Sequence, residues 1–195
     1  MRNLTRAAIA AVGMIGLGGA AQAQESAADF FRAAFNQVAA SASFRPQAGA
    51  VPREVVAYPG RHAPGTIVVS TSERRLYLVQ GDGTAIRYGV GVGRPGFTWG
   101  GNMSITRKAE WPDWTPPPQM LKRRPDLPRH MKGGPDNPLG ARALYLGSSL
   151  YRIHGSNEPE TIGQAVSSGC IRMTNADVID LYGRVRVGTR VVVVR

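Results

Sequence analysis

From Gly65 onward the chain is written in short β-favouring runs separated by turn residues, and this punctuation most restricts what it can fold into. Thr66 to Ser70 is a β-branched run. Arg74 to Gln80 alternates, with Leu76, Leu78 and Gln80 on one face and Arg75, Tyr77 and Val79 on the other. Gly81-Asp82-Gly83 is a turn and Thr84 to Val92 returns, so the two runs read as a hairpin. Asn102 to Trp111, Ala141 to Leu146 and Leu150 to His154 read as further strands. Val185 to Val194 is a last one, broken at Gly188. Gly91, Gly93 and Gly96 form a loop, but no helix pattern follows them, as a phosphate loop would require. Pro112 to Pro138 contains eight prolines and little periodicity. Proline limits both helix and strand, so a lid or binding loop is expected there. One helix is predicted: Thr174 caps it, Asp177 takes the capping-box position, and Gly183 ends it. The expectation is a mainly β domain with one short helix and a proline-rich lid.

The N-terminal third has a different texture. Arg2 and Arg6 precede an apolar run from Ala7 to Ala20, and Ala21-Gln22-Ala23 is a small-x-small cleavage site. Residues 1–23 therefore read as a secretory signal peptide, cut near Ala23. The run is shorter than the ~20 apolar residues of a spanning helix, so no stable membrane span is expected after cleavage. Residues 24–64 read as a peripheral segment. Phe30, Phe31, Ala34, Phe35 and Val38 have helical spacing, and Ser41 to Pro64 has linker composition. Residues 65–195 are the expected folded domain.

The formal charge is +11, and loss of a segment with two arginines and no acid leaves +9. Such a charge fits a polyanionic neighbour, although solubility accounts for it equally. No nucleic-acid-binding motif is present and the basic residues are scattered. The export signal points instead to an anionic cell wall or membrane surface, and the expected location is the periplasm.

The chain has one cysteine, Cys170. An exported chain with one cysteine has no internal disulfide, and its thiol is exposed to oxidation unless it is buried or used. A redox role would want a second, resolving cysteine. One Cys and three scattered His do not make a zinc site, so neither metal nor cofactor is expected.

The neighbourhood of Cys170 favours use. It lies in a Ser-Ser-Gly-Cys turn just before the predicted helix, and His154 ends a predicted strand sixteen positions upstream. A thiol attacks acyl carbon as the thiolate and needs a base. The N–H groups around Gly169 and Cys170 can face a developing oxyanion.

His154-Gly155, followed by Ser167-x-Gly169-Cys170-Ile171-Arg172, resembles the signature of YkuD-type L,D-transpeptidases. Ile153 to Pro159, Ile162-Gly163, Glu110 to Pro117 and Gly134 to Gly140 resemble the periplasmic ErfK/YbiS-like branch. The resemblance implies a β-sandwich-like domain acting on peptidoglycan stem peptides through a Cys thioester. It implies Cys170 as nucleophile, His154 as base, and the Gly155 carbonyl as the group that orients the imidazole. Ser168, Gly169 and Cys170 would supply oxyanion N–H groups. Arg172 would hold the turn or a substrate carboxylate. Many members have His where this chain has Ser168. Trp111, Trp114 and Asn157 are further substrate-contact candidates, with core packing and loop shaping as their structural alternatives. His62 reads as a surface residue, and so does His130, unless the lid carries it to substrate. The acyl group would pass to a stem amine or an outer-membrane protein's amine. Water as acceptor would make an L,D-carboxypeptidase, and a non-catalytic wall-binding module is the rival from another class.

Overall fold

The computed structural model describes residues 51–195. The expected signal peptide and the amphipathic segment of residues 26–40 lie outside the described residues.

Eleven strands are described. In chain order they are β1 (Glu54–Ala57), β2 (Ile67–Ser70), β3 (Arg75–Val79), β4 (Thr84–Gly89), β5 (Val92–Gly93), β6 (Gly101–Glu110), β7 (Arg142–Leu146), β8 (Arg152–His154), β9 (Ala165–Ser167), β10 (Ile171–Arg172) and β11 (Arg190–Val194). Two short helices, α1 (Pro118–Arg123) and α2 (Asn175–Arg184), interrupt them. Nine strands make one sheet in the order β1-β4-β3-β2-β11-β6-β7-β8-β10, and β5 pairs with β9 apart from it.

β6 explains how one sheet encloses a core. Its Gly101–Ser104 half pairs with β11, and its Ile105–Glu110 half pairs with β7, with a register shift between Ile105 and Arg107. A bulge of this kind bends a strand and strengthens its twist. Ile67, Val69, Leu76 and Tyr88 from one half then share a core with Leu144, Leu146 and Ile153 from the other. Val178 and Leu181 of α2 close the same core. β2 is buried along its whole length because β11 runs parallel to it and both of its faces are covered. Its outward Val68 packs with Val79, Val192, Tyr58 and Tyr77.

Three details differ from the sequence reading. Glu54–Ala57, inside the stretch read as linker, is an edge strand on β4, a pairing that local composition does not signal. The proline-rich segment holds the helix α1, which Pro118 can start because the first turn needs no N–H from it. Gly183 does not end α2, which runs to Arg184. The Thr174 hydroxyl does accept from the Asp177 N–H, as a cap should.

Candidate active site

Two short strands build the site. β8 and β10 run parallel, with Ile171 opposite Ile153 and Arg172 opposite His154. Ile153 and Ile171 are buried in the core, so the alternate residues of both strands face the other way. Cys170 stands one residue before the pairing begins. The Met173 N–H donates to the His154 carbonyl at 2.8 Å and locks the register. Arg172 exchanges two backbone bonds with Gly91, at 2.8 and 2.9 Å.

His154 is buried, and its Nδ1 lies 2.6 Å from the Gly155 carbonyl oxygen. A carbonyl only accepts, so Nδ1 carries the proton and Nε2 of the neutral ring is a free acceptor. Burial pulls the imidazole pKa down to about 3, against the pull of the Gly155 carbonyl, with Arg172 and Arg152 adding to the decrease. Burial pushes the Cys170 thiol upward, while the Arg152 charge, a hydrogen bond from its backbone and the Arg172 charge work the other way. The resting pair is therefore thiol and neutral imidazole. The thiol lies 3.7 Å from the Leu150 carbonyl, toward which it can donate.

Gly155 sits where the chain crosses itself. A Cβ there would collide with Asn175 Oδ1 and meet the Ala141 N–H at 3.0 Å. Asn175 Oδ1 accepts from that same Ala141 N–H at 2.9 Å, so it ties the start of α2 to the segment before β7.

The turn carrying the thiol is held on three sides. Gly169 has φ +106, and a Cβ on it would lie 2.6 Å from the Tyr151 ring. The Trp99 indole N–H donates to the Gly169 carbonyl at 2.7 Å, and Trp99 stacks on Tyr151 with centroids 4.3 Å apart. The Ser167 hydroxyl donates to the Cys170 carbonyl at 2.6 Å and accepts from the Gly169 N–H at 3.1 Å. That last bond corrects the expectation that Gly169 is an oxyanion donor, because its N–H already has a partner.

His154 and Cys170 open into a cleft of about 790 Å³. Arg152, Arg172, Ser168 and Asn157 line it from the strand side, and Trp114, Met120 and Met131 from the lid side. Asn157 Nδ2 donates to the Asp136 carbonyl at 3.0 Å, which joins the loop after β8 to the lid. Arg172 is engaged by Glu158 at 2.8 Å. Trp114 is 9% exposed. Trp111 is 43% exposed and outside the cleft lining, so its position does not support a substrate contact. His130 pairs with Asp113 at 3.3 Å on the lid surface, and His62 with the Tyr58 hydroxyl at 2.7 Å.

Residues 64–193 match the family model described as the L,D-transpeptidase catalytic domain, YkuD. The chain belongs to the YkuD family of L,D-transpeptidase catalytic domains. It is 42% identical over 135 residues to the probable L,D-transpeptidase ErfK/SrfK of Escherichia coli strain K12, covering 66% of this chain and 43% of that protein. The chain thus spans less than half the length of that relative. A solved Brucella melitensis chain is 44% identical, with TM-score 0.50 over 78% of this chain and 97% of that one. It is described as a probable carnitine operon oxidoreductase, a description that departs from the family. The family membership of the present chain rests on the match over residues 64–193. The catalytic domain of the E. faecium L,D-transpeptidase shares the fold, with TM-score 0.53 at 20% identity over 69% of this chain and 100% of that one.

Sequence reasoning missed Trp99, Tyr151 and Arg152. The alternation of Arg152-Ile153-His154 contains the signal for the last, since it puts Arg152 on the face of His154. Nothing local marks Trp99, which meets the turn from 70 positions away.

Proposed function

We propose that the chain is an exported peptidoglycan L,D-transpeptidase working in the periplasm on tetrapeptide stems. The observation that supports this best is the Nδ1 contact with the Gly155 carbonyl, which leaves Nε2 unprotonated in the cleft that also contains Cys170. In the first half-reaction His154 Nε2 takes the thiol proton as Cys170 Sγ attacks the carbonyl of the stem's third residue. The N–H groups of Ser168 and Cys170 face the oxyanion, since that of Gly169 is engaged elsewhere. The C–N bond breaks, the amine of the D-residue takes the proton back from His154, and a thioester remains. In the second half-reaction an acceptor amine loses a proton to His154 and attacks the thioester, returning the thiol. Arg94, Arg123, Arg152 and Arg172 line the cleft and suit a substrate rich in carboxylates.

The test is incubation with tetrapeptide muropeptides and product analysis by mass. Crosslinked dimers are expected. Tripeptides alone mean that water is the acceptor, and a tripeptide joined to a protein amine means wall anchoring. Turnover that persists in Cys170→Ala would show that the mechanism is wrong. A wall-binding module without catalysis would hold peptidoglycan yet form no adduct with a carbapenem. Export is tested separately by N-terminal sequencing of the mature protein, with a start near Gln24 expected.

A further inference from the structure

Among the described residues the side chains of two cleft arginines, Arg123 and Arg152, have no anionic or hydrogen-bonding partner, and of the two only Arg152 has a buried nitrogen left unpaired. Arg172 is paired with Glu158 and reaches Thr161 at 3.4 Å. Arg124 is paired with Asp126. Arg94 reaches the Ser168 hydroxyl at 3.4 Å and stacks on Phe97, over which Arg123 also lies. Arg152 Nε is buried and donates to no atom among the described residues. Leaving such a donor unsatisfied is costly, and for a charged group more so.

Its surroundings compound the cost. Tyr145 of β7 lies opposite Arg152 of β8 on one side and Arg107 of β6 on the other. The Arg107 guanidinium sits 3.5 Å from the Tyr145 ring centroid, and that of Arg152 sits 5.3 Å from it. Two like charges therefore share one aromatic ring, and among the described residues no carboxylate pairs with either. An anion in the cleft would offset the positive charge that the two guanidiniums bring to that ring. The position of Arg152 says where that anion lies. Arg152 lines the cleft with Cys170 and is two residues before His154 on the same strand face.

We infer that Arg152, steadied by Tyr145, is a specificity residue that receives a stem-peptide carboxylate. This rests on the transpeptidase reading above. A tetrapeptide stem has one carboxylate about one residue's length, ~3.5 Å, from the attacked carbonyl, and a second at the far end of the third residue's side chain. The first is the C-terminal carboxylate of the leaving D-residue. The second belongs to a diamino-diacid third residue. Both would accept a bidentate pair from a guanidinium.

The experiment measures binding and turnover apart. Calorimetry uses Cys170→Ala with the free-acid tetrapeptide, its C-terminal amide, and a tetrapeptide with lysine in third place. The same titrations follow in Cys170→Ala with Arg152→Gln and with Arg152→Lys. Removing the recognised carboxylate should weaken binding about 10- to 100-fold. Arg152→Gln should weaken the free acid equally and abolish that preference, while Arg152→Lys recovers part of it. Loss on the amide assigns the C-terminal carboxylate, and loss on the lysine peptide assigns the side-chain one. An unchanged preference in a folded Arg152→Gln protein overturns the inference, as does failure of the Cys170→Ala protein to bind any of the three. Carboxylate-selective binding through Arg152, without turnover by the unmodified enzyme, would overturn the transpeptidase reading and leave the subsite standing.

Discussion

The two walls of the cleft are held by different means. The strand wall, with His154, Cys170 and Arg172, is tied by the β8–β10 pairing and by backbone bonds to Gly91. Behind it lie Ile153 and Ile171, both buried in the core. The lid wall, residues 112–138, has little of this. Trp114 and Met131 exchange two backbone bonds of 2.8 Å, and Asp113 accepts from the Gly133 N–H at 2.8 Å. Asn137 donates to the Met131 and Lys132 carbonyls and accepts from the Leu139 N–H. α1 buries none of its residues and has no side-chain cap. Chemistry needs atoms placed to fractions of an ångström, and a backbone ladder over a packed core supplies that. A wall that does not position reacting atoms can rest on a few polar clips.

The contrast is open to direct tests. The largest effect should come from His154→Gln, which keeps the strand but removes the proposed base. Turnover of tetrapeptide should fall by about a thousandfold, measured in single-turnover thioester formation by mass. A loss below tenfold would mean that the strand wall does not carry the chemistry. Next, Gly155→Ala forces a Cβ against Asn175 Oδ1. A stability loss of about 3 kcal/mol is expected by denaturant titration, well above the ordinary range for an exposed site.

Acid should act through the same wall. His154 is neutral when folded, with its pKa down at about 3, and takes up a proton near pH 6.5 when unfolded. The unfolded chain therefore binds more protons in this window. Stability contributed by the neutral ring is complete above about pH 6.5 and declines toward pH 3, by up to ~1.4 kcal/mol per pH unit. His154→Gln should flatten that part of the stability–pH curve. The smallest effect belongs to the lid. Asn137→Ala should cost about 1 kcal/mol in global stability, yet raise KM more than it lowers kcat. It should also speed amide exchange across residues 118–134. Equal effects on kcat and KM, with no local change in exchange, would erase the distinction between the walls.

Legibility from sequence follows the same division. The hairpin of β3 and β4, the strand β7 and the Thr174 cap were readable because side-chain alternation and capping chemistry are local. His154 and Cys170 were readable because a strand end and a pre-helix turn each leave a mark in a few residues. β1, β5, β9 and β10 were not. These are two- to four-residue strands that exist only because a distant partner pairs with them. Trp111 looked as suitable for substrate as Trp114, and only their placement separates them. The Gly169 N–H looked available until the Ser167 hydroxyl was seen to accept it.

By itself the sequence determined a mainly β chain with a lone thiol, a histidine at a strand end and a proline-rich segment. Periodicity, turn chemistry and residue type act over short distances and can be read in one dimension. The tertiary structure alone decided the ionic state of His154 and Cys170, the tautomer and the orphaned guanidinium of Arg152. Desolvation and hydrogen-bond partners come from residues far away in the chain, and these arrive only when the sheet has folded around its core.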